Sequence, residues 1–260
     1  MKKYLVVGNP IEHSLSPKLH NRWFKENNIS AVYDKKKINE SDIEGLINEV
    51  KKEKIGGINI TVPFKKTIIP FVDELTSVAN SAQSVNTIYK KDNKIIGDNT
   101  DIGGFEQSLK HIDYSVKNKK VFILGAGGVA PSIIIAVKNL GAAKIILSNR
   151  NKKKAENLKN FYNDIEILDW GKITDFDIII NATSLGLKNT DEIKLSYDDI
   201  GSNKFFYDLI YNPKETSFLK KAKLLGNKVA NGKMMFIYQA QLAFKIWHNI
   251  LPKVNENLLD

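Results

Sequence analysis

In the first part of the chain, short apolar runs alternate with segments in which apolar residues recur every three or four positions. This alternation predicts strands and amphipathic helices in turn, as in an α/β unit. Strands are predicted at 4–8, 31–37 and 56–62, helices at 16–28 and 40–53, and a hairpin over 85–98 with its turn at Asp92-Asn93. Ser16 is expected to cap the first helix, with Pro17 in the first helical position.

A new pattern begins after residue 101. Further strands are predicted at 121–124, 144–147, 176–183 and 204–211. The first two of these flank a glycine turn and a helix of about ten residues, which together form a βαβ unit of about thirty residues. The segment 232–251 predicts a long helix that is apolar almost all round and therefore largely buried. The chain is therefore assigned to the α/β class, with a domain boundary near residue 101.

Composition narrows the possible classes of protein. The chain has 260 residues and no cysteine, which excludes a disulfide framework, thiolate catalysis and a thiolate metal site. Its formal net charge of +10 is compatible with nucleic-acid binding. The lysines are nevertheless spread along the whole chain, without a stripe of interleaved aromatic residues. We therefore expect them on solvated faces, where they help to attract anionic ligands.

The first ten residues, MKKYLVVGNP, combine two lysines with a short apolar run. A signal peptide needs a longer apolar run and a cleavage site of small residues, so a first strand is the better interpretation. The sequence contains no run of about 18 apolar residues, so no membrane-spanning helix is predicted. We therefore expect a cytoplasmic location.

The glycine turn GAGGVA, 125–130, has the context of a dinucleotide-binding loop, with a strand before it and a helix after it. Gly125 permits the tight turn, and Gly127 lets the backbone approach a pyrophosphate. The helix start that follows supplies free N–H groups and the positive end of a helix dipole. The alternative is a glycine turn in some other α/β protein.

The end of the second strand of this βαβ unit distinguishes the two nicotinamide dinucleotides. NAD-binding units place an acidic residue there, which contacts the ribose 2′-hydroxyl. Here the strand ends in Ser148, Asn149 and Arg150. A guanidinium suits a 2′-phosphate, and Lys154 adds a second cation. The prediction is NADP rather than NAD, and the alternative is a solvent-exposed arginine in a helix-entry loop.

Two titratable residues of the first hundred or so positions each follow a strand end. Lys65 comes after the strand and proline of NITVPFK, and Asp101 ends GDNTD. Because ligands of open α/β sheets bind outside the carboxyl ends of strands, the two side chains are candidates for proton exchange with a substrate. Each also has a plainer interpretation. Lys65 is one of 39 basic residues, and Asp101 is placed to cap a helix over 103–110.

A series of motifs runs in order through nearly the whole chain: GNPIEHSLSPKLHN, NITVPFK, VNT, GDNTD, GAGG, NR, NATSLG and AQLAFKIWH. The series resembles shikimate dehydrogenase of the monofunctional bacterial type, which reduces 3-dehydroshikimate with NADPH in chorismate and aromatic amino acid biosynthesis. The resemblance implies a substrate domain over 1–101, completed by C-terminal helices in 233–260. It also implies a Rossmann-type NADP-binding domain over 102–232.

The same resemblance implies roles for individual residues. Lys65 and Asp101 would be catalytic. The substrate would be bound by Ser14, Ser16, Thr61, Lys65, Asn86, Asp101, Tyr211 and Gln239. The cofactor would be contacted by Gly125, Ala126, Gly127, Gly128, Val129, Asn149, Arg150, Lys154, Thr183, Leu209 and Gly232. His13, Asn59 and Trp247 match the pattern but are assigned structural roles, and no metal is expected.

The chain departs from the family pattern at three places. Ile102 stands where a glycine is common, Met234 stands where a second glycine is usual, and Pro131-Ser132 replaces a common arginine. The last two departures concern contacts to the nicotinamide and the phosphates. None of the three changes the proton-transfer pair.

Other functions stay open at this point. A quinate/shikimate dehydrogenase with broader substrate or NAD use is the alternative among enzymes. Outside enzymes, the alternatives are a non-catalytic dinucleotide-binding protein and a basic nucleic-acid binder. The presence of both Lys65 and Asp101 speaks against a dead site. The expected binding partner is a small-molecule substrate. The expected oligomeric state is a monomer or a homodimer.

Overall fold

The computed structural model describes residues 1–188 and 191–259, so that Asp260, the last residue of the segment 233–260, lies outside the described residues. The chain forms two compact units. The first comprises Met1–Phe105 and Ile237–Asp260, and the second comprises Glu106–Phe236. Within the described ranges, no helix has the length and apolarity that a membrane crossing requires.

The first unit is built on a six-stranded mixed sheet. Its strands are β1 (Lys2–Gly8), β2 (Ala31–Lys37), β3 (Ile55–Ile60), β4 (Glu74–Leu75), β5 (Thr87–Lys91) and β6 (Lys94–Asp98), in the order β2-β1-β3-β5-β6-β4. Its helices are α1 (Ser16–Glu26), α2 (Ile43–Lys51), α3 (Ser77–Ala82) and the start of α4 (Asp101–His111). The predicted hairpin is confirmed, because β5 and β6 are antiparallel and Asp92 and Asn93 have φ values of 48° and 62°. Two such left-handed residues form the usual two-residue hairpin turn.

Strand direction brings three chain segments to one edge of this sheet. β5 lies between β3 and β6 and is antiparallel to both, so β3 and β6 run in the same direction. The carboxyl ends of β3 and β6 therefore lie at the same edge as the amino end of β5. Lys65 and Asp101 follow those two carboxyl ends, and Asn86 precedes the amino end.

The second unit is built on a six-stranded sheet in which all neighbouring strands are parallel. Its strands are β7 (Lys120–Leu124), β8 (Lys144–Ser148), β9 (Ile165–Leu168), β10 (Ile178–Asn181), β11 (Phe205–Asp208) and β12 (Lys228–Asn231), in the order β12-β11-β10-β7-β8-β9. Helices α5 (Ala130–Asn139), α6 (Lys152–Phe161) and α7 (Ser217–Leu224) belong to this unit, and the last helix, α8 (Lys233–His248), begins in it. This strand order is that of doubly wound dinucleotide-binding folds.

Each unit has its own apolar core. In the first unit, Val7 of β1 and Ile58 of β3 are buried in one cluster with Val50 of α2. In the second unit, Phe122 of β7 and Phe206 of β11 are buried in one cluster with residues of α7. Burial of such side chains is the main term that stabilises each fold, at about 1.5–3 kcal/mol per fully buried large side chain.

The prediction that Ser16 caps the first helix was wrong. Helix α1 starts at Ser16 itself, Leu15 occupies the N-cap position, and no side chain of that position accepts a hydrogen bond. The reason is local: the backbone N–H of Ser16 donates to the hydroxyl oxygen of Ser14 at 3.3 Å. Ser14 therefore receives the first free N–H of the helix, and Ser16 lies inside the first turn.

Candidate active site

Lys65 and Asp101 form a buried ion pair. The Lys65 Nζ lies 2.5 Å from Asp101 Oδ2, and the two residues are 8% and 5% exposed. The turn that carries Lys65 is fixed at both sides, since Phe64 N donates to Thr61 O at 3.0 Å and Val85 N donates to Lys65 O at 2.8 Å. The lysine is therefore held at the sheet edge by its backbone as well as by its charge.

The start of α4 orients the Asp101 carboxylate. Asn99 Oδ1 accepts from the backbone N–H groups of Asp101 and Ile102, at 3.0 and 3.2 Å. Asn99 thus performs the capping that was the plainer interpretation of Asp101. The Asp101 carboxylate is left to bind other groups, and its second oxygen, Oδ1, accepts from Asn86 Nδ2 at 2.9 Å.

The orientation of the Asn86 amide is determined by its surroundings. Its Oδ1 accepts from the backbone N–H of Thr100 at 2.8 Å and from the Thr87 hydroxyl at 2.9 Å. Its Nδ2 must then face acceptors, which are Thr100 Oγ1 and Asp101 Oδ1. A flipped amide would place its oxygen against the carboxylate of Asp101, so the observed orientation is the one that satisfies every buried polar group here.

A buried hydrogen-bond network extends from Asn86 across the sheet. Thr87 Oγ1 accepts from Asn59 Nδ2 at 3.0 Å, and Asn59 Oδ1 accepts from the Tyr33 hydroxyl at 2.7 Å. The structural role expected of Asn59 agrees with these contacts. Tyr33 and Thr87 were not singled out from the sequence, although a polar Asn59 within the apolar run INI was a signal that buried partners exist.

The other candidate substrate residues of the first unit lie in the loops after β1 and β3, at the start of α1 and on α8. The hydroxyls of Ser14 and Ser16 hydrogen-bond each other at 3.2 Å. A Cβ on Gly8 would lie 2.4 Å from Thr61 Cγ2, so the loop at Thr61 packs directly on the end of β1. A Cβ on Gly104 would lie 2.8 Å from Gln239 N, so the backbone of α8 at Gln239 packs against the first turn of α4.

Three residues outside this group have different surroundings. Tyr211 belongs to the second unit, where its ring stacks on Phe236 with centroids 4.6 Å apart. Trp247, for which a structural role was expected, donates from Nε1 to Ile88 O at 3.2 Å. His13 is exposed.

The glycine turn after β7 has the conformation that its sequence requires. Gly125 has φ of +106°, and a Cβ there would lie 2.8 Å from Thr183 Cγ2. Gly127 and Gly128 are exposed, and a Cβ on Gly127 would have its nearest neighbour only at 3.9 Å. The backbone of this turn is therefore open to a ligand at Gly127, whereas Gly125 is required by packing. Val129 is the N-cap of α5.

The turn is joined to the end of β8 by Asn149, whose Oδ1 accepts from Ala126 N at 3.0 Å. Arg150 and Lys154 follow and are exposed, and neither forms an ion pair within the described part of the chain. Two exposed cations that follow the strand end joined to the open glycine turn fit a ligand that carries an additional phosphate. Pro131, in the first turn of α5, has no N–H and removes one donor from the helix start.

The remaining cofactor candidates follow the next three strands of the same sheet. Thr183, Leu209 and Gly232 lie just after β10, β11 and β12. Because these strands are parallel to β7, the three residues share the sheet edge of the glycine turn. At Gly232 a Cβ would lie 2.0 Å from Leu209 O, so no other residue fits there without movement of the backbone.

Across residues 1–188 and 191–259, no group of three or more His, Cys, Asp or Glu side chains is arranged to hold a metal ion. The side chains that meet at the first sheet edge are instead one ammonium, one carboxylate and several amides and hydroxyls. Of these groups the ammonium can donate a proton, and the carboxylate, amides and hydroxyls can hydrogen-bond the hydroxyl groups of a small molecule.

Comparison with known proteins gives consistent results for both units. A family model described as "Shikimate dehydrogenase substrate binding domain" matches residues 6–88. A second, described as "Shikimate / quinate 5-dehydrogenase", matches residues 107–209. The chain is 62% identical over 262 residues to the shikimate dehydrogenase (NADP(+)) of Pelagibacter ubique, a match that covers 100% of this chain and 99% of the relative.

Solved structures give the same result. The structure of shikimate dehydrogenase from Aquifex aeolicus is similar with a TM-score of 0.92 at 38% identity, covering 100% of this chain and 96% of that one. The structure of shikimate 5-dehydrogenase from Thermus thermophilus in complex with NADP(H) and shikimate is similar with a TM-score of 0.89 at 28% identity, covering 97% and 95%. The matches therefore extend over both units of the chain.

Proposed function

Since the chain belongs to the shikimate dehydrogenase family, we propose that it catalyses the reversible NADPH-dependent reduction of 3-dehydroshikimate to shikimate, in the biosynthesis of chorismate and aromatic amino acids. The observation that carries this proposal is the buried ion pair of Lys65 and Asp101, at the sheet edge where three chain segments meet. A structural lysine seldom needs to be buried, paired and fixed by its backbone at such an edge.

NADP fits the residues of the second unit. The exposed glycine turn at Gly127 would receive the pyrophosphate, and Arg150 with Lys154 would hold the 2′-phosphate. Asn149 holds the turn against the strand end that carries Arg150. When bound, the cofactor supplies or accepts the hydride of the reaction.

Lys65 moves the proton. Reduction of a ketone leaves negative charge on its oxygen, and the Lys65 ammonium donates a proton to that oxygen. In the direction of oxidation, the neutral amine accepts the proton of the substrate hydroxyl. Asp101 holds the ammonium at 2.5 Å and stabilises its charge, so that the proton is presented in one direction.

Asp101 also contributes to substrate binding. Its carboxylate oxygens accept from Lys65 and from Asn86, and each oxygen has a second lone pair with which to accept from a substrate hydroxyl. Asn86 keeps the carboxylate in this orientation, because its own amide is fixed by Thr100 and Thr87.

The carboxylate and hydroxyl groups of shikimate require polar partners. Ser14 and Ser16 present two hydroxyls at the start of α1, where the helix dipole favours a carboxylate. Thr61 and Gln239 add a hydroxyl and an amide in the first unit. We assign Tyr211 of the second unit to the substrate as well, on the family pattern.

These roles assign a different ligand to each domain. Residues 1–101 with 233–260 would bind the substrate, and residues 102–232 would bind NADP. A cytoplasmic location and a monomeric or homodimeric state are proposed with them.

A second candidate function is supported by one observation. The second family model carries the name of both shikimate and quinate dehydrogenases. Quinate would enter the same site if the contacts around the ring tolerated its additional hydroxyl. NAD use is disfavoured by Arg150, which occupies the position of the acidic residue of NAD-binding units.

The experiment that tests the proposal measures NADP reduction by the purified protein with shikimate, with quinate and with neither. We expect NADP to be reduced with shikimate, but not with quinate or without a substrate. Comparable rates with both substrates would identify a quinate/shikimate dehydrogenase. Absence of reduction with either, in protein that binds NADP, would leave a non-catalytic dinucleotide-binding protein.

A further inference from the structure

Asp208, the last residue of β11, is a buried carboxylate that no cation balances. It is 0% exposed, and no ion pair of Asp208 occurs among the described residues. Oδ1 accepts from Asn181 Nδ2 at 2.9 Å and from Ile210 N at 3.0 Å, and Oδ2 accepts from Thr216 Oγ1 at 2.5 Å. Burial raises the pKa of this carboxyl to about 6, against the effect of its three hydrogen bonds. Such a group is costly to keep in a core, so its contacts are informative.

The first contact of Asp208 determines the loop after β10. Because Asn181 Nδ2 donates to Asp208, Asn181 Oδ1 must face the other way, where it accepts from the backbone N–H and the hydroxyl of Thr183, at 3.0 and 2.7 Å. Thr183 Oγ1 in turn accepts from Leu185 N at 3.0 Å. Asn181 Nδ2 also donates to Leu185 O at 3.1 Å, so the carboxylate and this carbonyl together fix the Asn181 amide, and the amide fixes Thr183.

The second contact determines the loops after β11 and β12. Ile210 N donates to Asp208, and Ile210 O accepts from Gly232 N at 3.1 Å. Leu209 lies between Asp208 and Ile210 in the chain, and its backbone N–H donates to Asn181 O at 3.0 Å. The positions of Leu209 and Gly232 therefore also depend on the carboxylate of Asp208.

The three loops lie at the same sheet edge as the glycine turn. Thr183 Cγ2 would lie 2.8 Å from a Cβ on Gly125, so Thr183 is in van der Waals contact with the turn that follows β7. All four strands are parallel, and ligands of such sheets bind at their carboxyl ends. A group that fixes three of the four loops at this edge would shape the site for a dinucleotide.

We propose that Asp208 is a positioning residue for NADP, which acts through Asn181 and Ile210 to hold Thr183, Leu209 and Gly232 in the arrangement that receives the cofactor. This inference rests on the proposed function, because it takes the second unit to be the NADP-binding one. Asp208 itself is buried beneath the loops and does not touch the cofactor.

The third contact of Asp208 provides a matched control. Thr216 donates to Oδ2, and its oxygen accepts from the backbone N–H of Leu219 in the first turn of α7, so neither of these hydrogen bonds leads to Thr183. Thr216→Val removes one buried hydrogen bond to Asp208 and one helix cap. It should lower the melting temperature but leave both connections to the cofactor loops intact.

The test measures the dissociation constant of NADP by fluorescence titration, and the melting temperature, for the wild type, Asp208→Ala, Asp208→Asn and Thr216→Val. Asp208→Ala should weaken NADP binding by about 10-fold or more, because a buried acceptor of two donors is lost. Asp208→Asn should restore most of the affinity, since its amide oxygen can accept from Asn181 and Ile210. Thr216→Val should bind NADP within about twofold of the wild type. If Asp208→Ala does not fold, Asn181→Ala tests the same connection with the carboxylate kept.

Equal NADP affinity in Asp208→Ala (or Asn181→Ala) and wild type would overturn the inference, as would equal losses in Asp208→Ala and Thr216→Val, which would indicate a structural role alone. These outcomes leave the proposed function untouched. A wild-type protein that binds NADP but does not oxidise shikimate would overturn the proposed reaction and not the role of Asp208. A wild-type protein that binds no NADP would overturn both.

Discussion

Asn86 donates a hydrogen bond of 2.9 Å to one oxygen of Asp101, while the other oxygen of that carboxylate lies against Lys65. The two oxygens of Asp101 therefore have separate partners, one neutral and one charged. This arrangement fixes the plane of the carboxylate and, with it, the direction of the Lys65 ammonium. Positioning of a proton donor is a large part of what a protein contributes to such a reaction.

The first prediction concerns Thr87, which holds Asn86 and touches neither Lys65 nor Asp101 in the hydrogen-bond network. Thr87→Val removes the hydroxyl that donates to Asn86 Oδ1 at 2.9 Å and accepts from Asn59 Nδ2. Turnover with shikimate should fall by about 2- to 10-fold, the equivalent of one neutral hydrogen bond. The KM for NADP should stay unchanged.

Thr87→Ser is the control for this substitution, because it keeps the hydroxyl and removes only a methyl group. Steady-state kinetics of the two variants measure how much of the loss in turnover comes from the hydroxyl group. If Thr87→Val and Thr87→Ser lose turnover equally, packing rather than the hydrogen bond is responsible, and Asn86 is held by Thr100 alone.

The second prediction concerns the choice of cofactor. Arg150→Ala should weaken NADP binding by about 10- to 150-fold, because a charge-assisted hydrogen bond contributes roughly 1.5–3 kcal/mol. NAD, which lacks the 2′-phosphate, should be affected far less. Lys153→Ala removes a neighbouring exposed cation from the same helix start and should leave the ratio of NADP to NAD affinity near the wild-type value. Equal losses of NADP and NAD affinity in Arg150→Ala would show that Arg150 does not bind the 2′-phosphate.

The sequence was enough to predict the pair of residues that carries the chemistry. It was not enough to predict the buried hydrogen-bond network that supports them. Lys65 and Asp101 each follow a strand end, and the parallel directions of β3 and β6 bring such ends together. The connection of Tyr33, Asn59 and Thr87 depends on the order of strands in the sheet, which spacing along the chain does not contain. Asp208 was missed for the same reason, since its partners are Asn181 at the end of the neighbouring strand β10 and Ile210 and Thr216 in the segment between β11 and α7.

Among the elements, those with clear apolar patterns were predicted and those without them were missed. Helix α6 has Ala155 as its buried residue and is otherwise rich in lysine, so its periodicity is faint. Strand β12 is a four-residue edge strand without a buried residue. Helices α3 and α7 and strands β4 and β9 were missed as well, all of them eight residues or shorter. Tertiary packing, rather than local pattern, forms these elements.

The third prediction concerns stability at acid pH. His20 is fully buried and stacks on Tyr33 with ring centroids 4.2 Å apart, and among the described residues neither of its ring nitrogens has a hydrogen-bond partner. Burial, with a smaller effect of His248, lowers the pKa of His20 from 6.5 to about 3. The folded protein therefore keeps His20 neutral, while the unfolded chain binds a proton below pH 6.5.

The stability that comes from a neutral His20 is complete above the unfolded pKa and is lost as the pH falls towards the folded one. Between pH 7 and pH 5, the free energy of unfolding should decrease by about 2 kcal/mol from this group. Burial also lowers the pKa of His248, which adds to the effect in the same direction. Urea unfolding at the two pH values measures it.

His20→Phe should flatten this pH dependence, because it keeps an aromatic ring and removes the titrating group. His13→Gln, at an exposed position, is the matched control and should behave as the wild type. A pH dependence that is the same in His20→Phe and wild type would assign the acid sensitivity to other groups.

The last prediction concerns Lys65 and its partner. Lys65→Arg should not restore activity lost in Lys65→Ala, since a guanidinium stays protonated and cannot accept the proton in the reverse direction. Asp101→Asn should also lower turnover, because it removes the negative partner of the ammonium at 2.5 Å. The double variant Lys65→Ala/Asp101→Asn should lose less than the sum of the single losses, because residues that act as a unit are not additive.

The most direct measurement is the turnover number of Lys65→Ala with shikimate and NADP, made together with a titration of its NADP affinity. If Lys65 is the proton-transfer group, turnover should fall by about 10²–10⁴-fold. NADP affinity should stay at the wild-type value, because the cofactor residues belong to the second unit. Near-normal turnover with only a raised KM for shikimate would contradict the assignment and make Lys65 a binding residue.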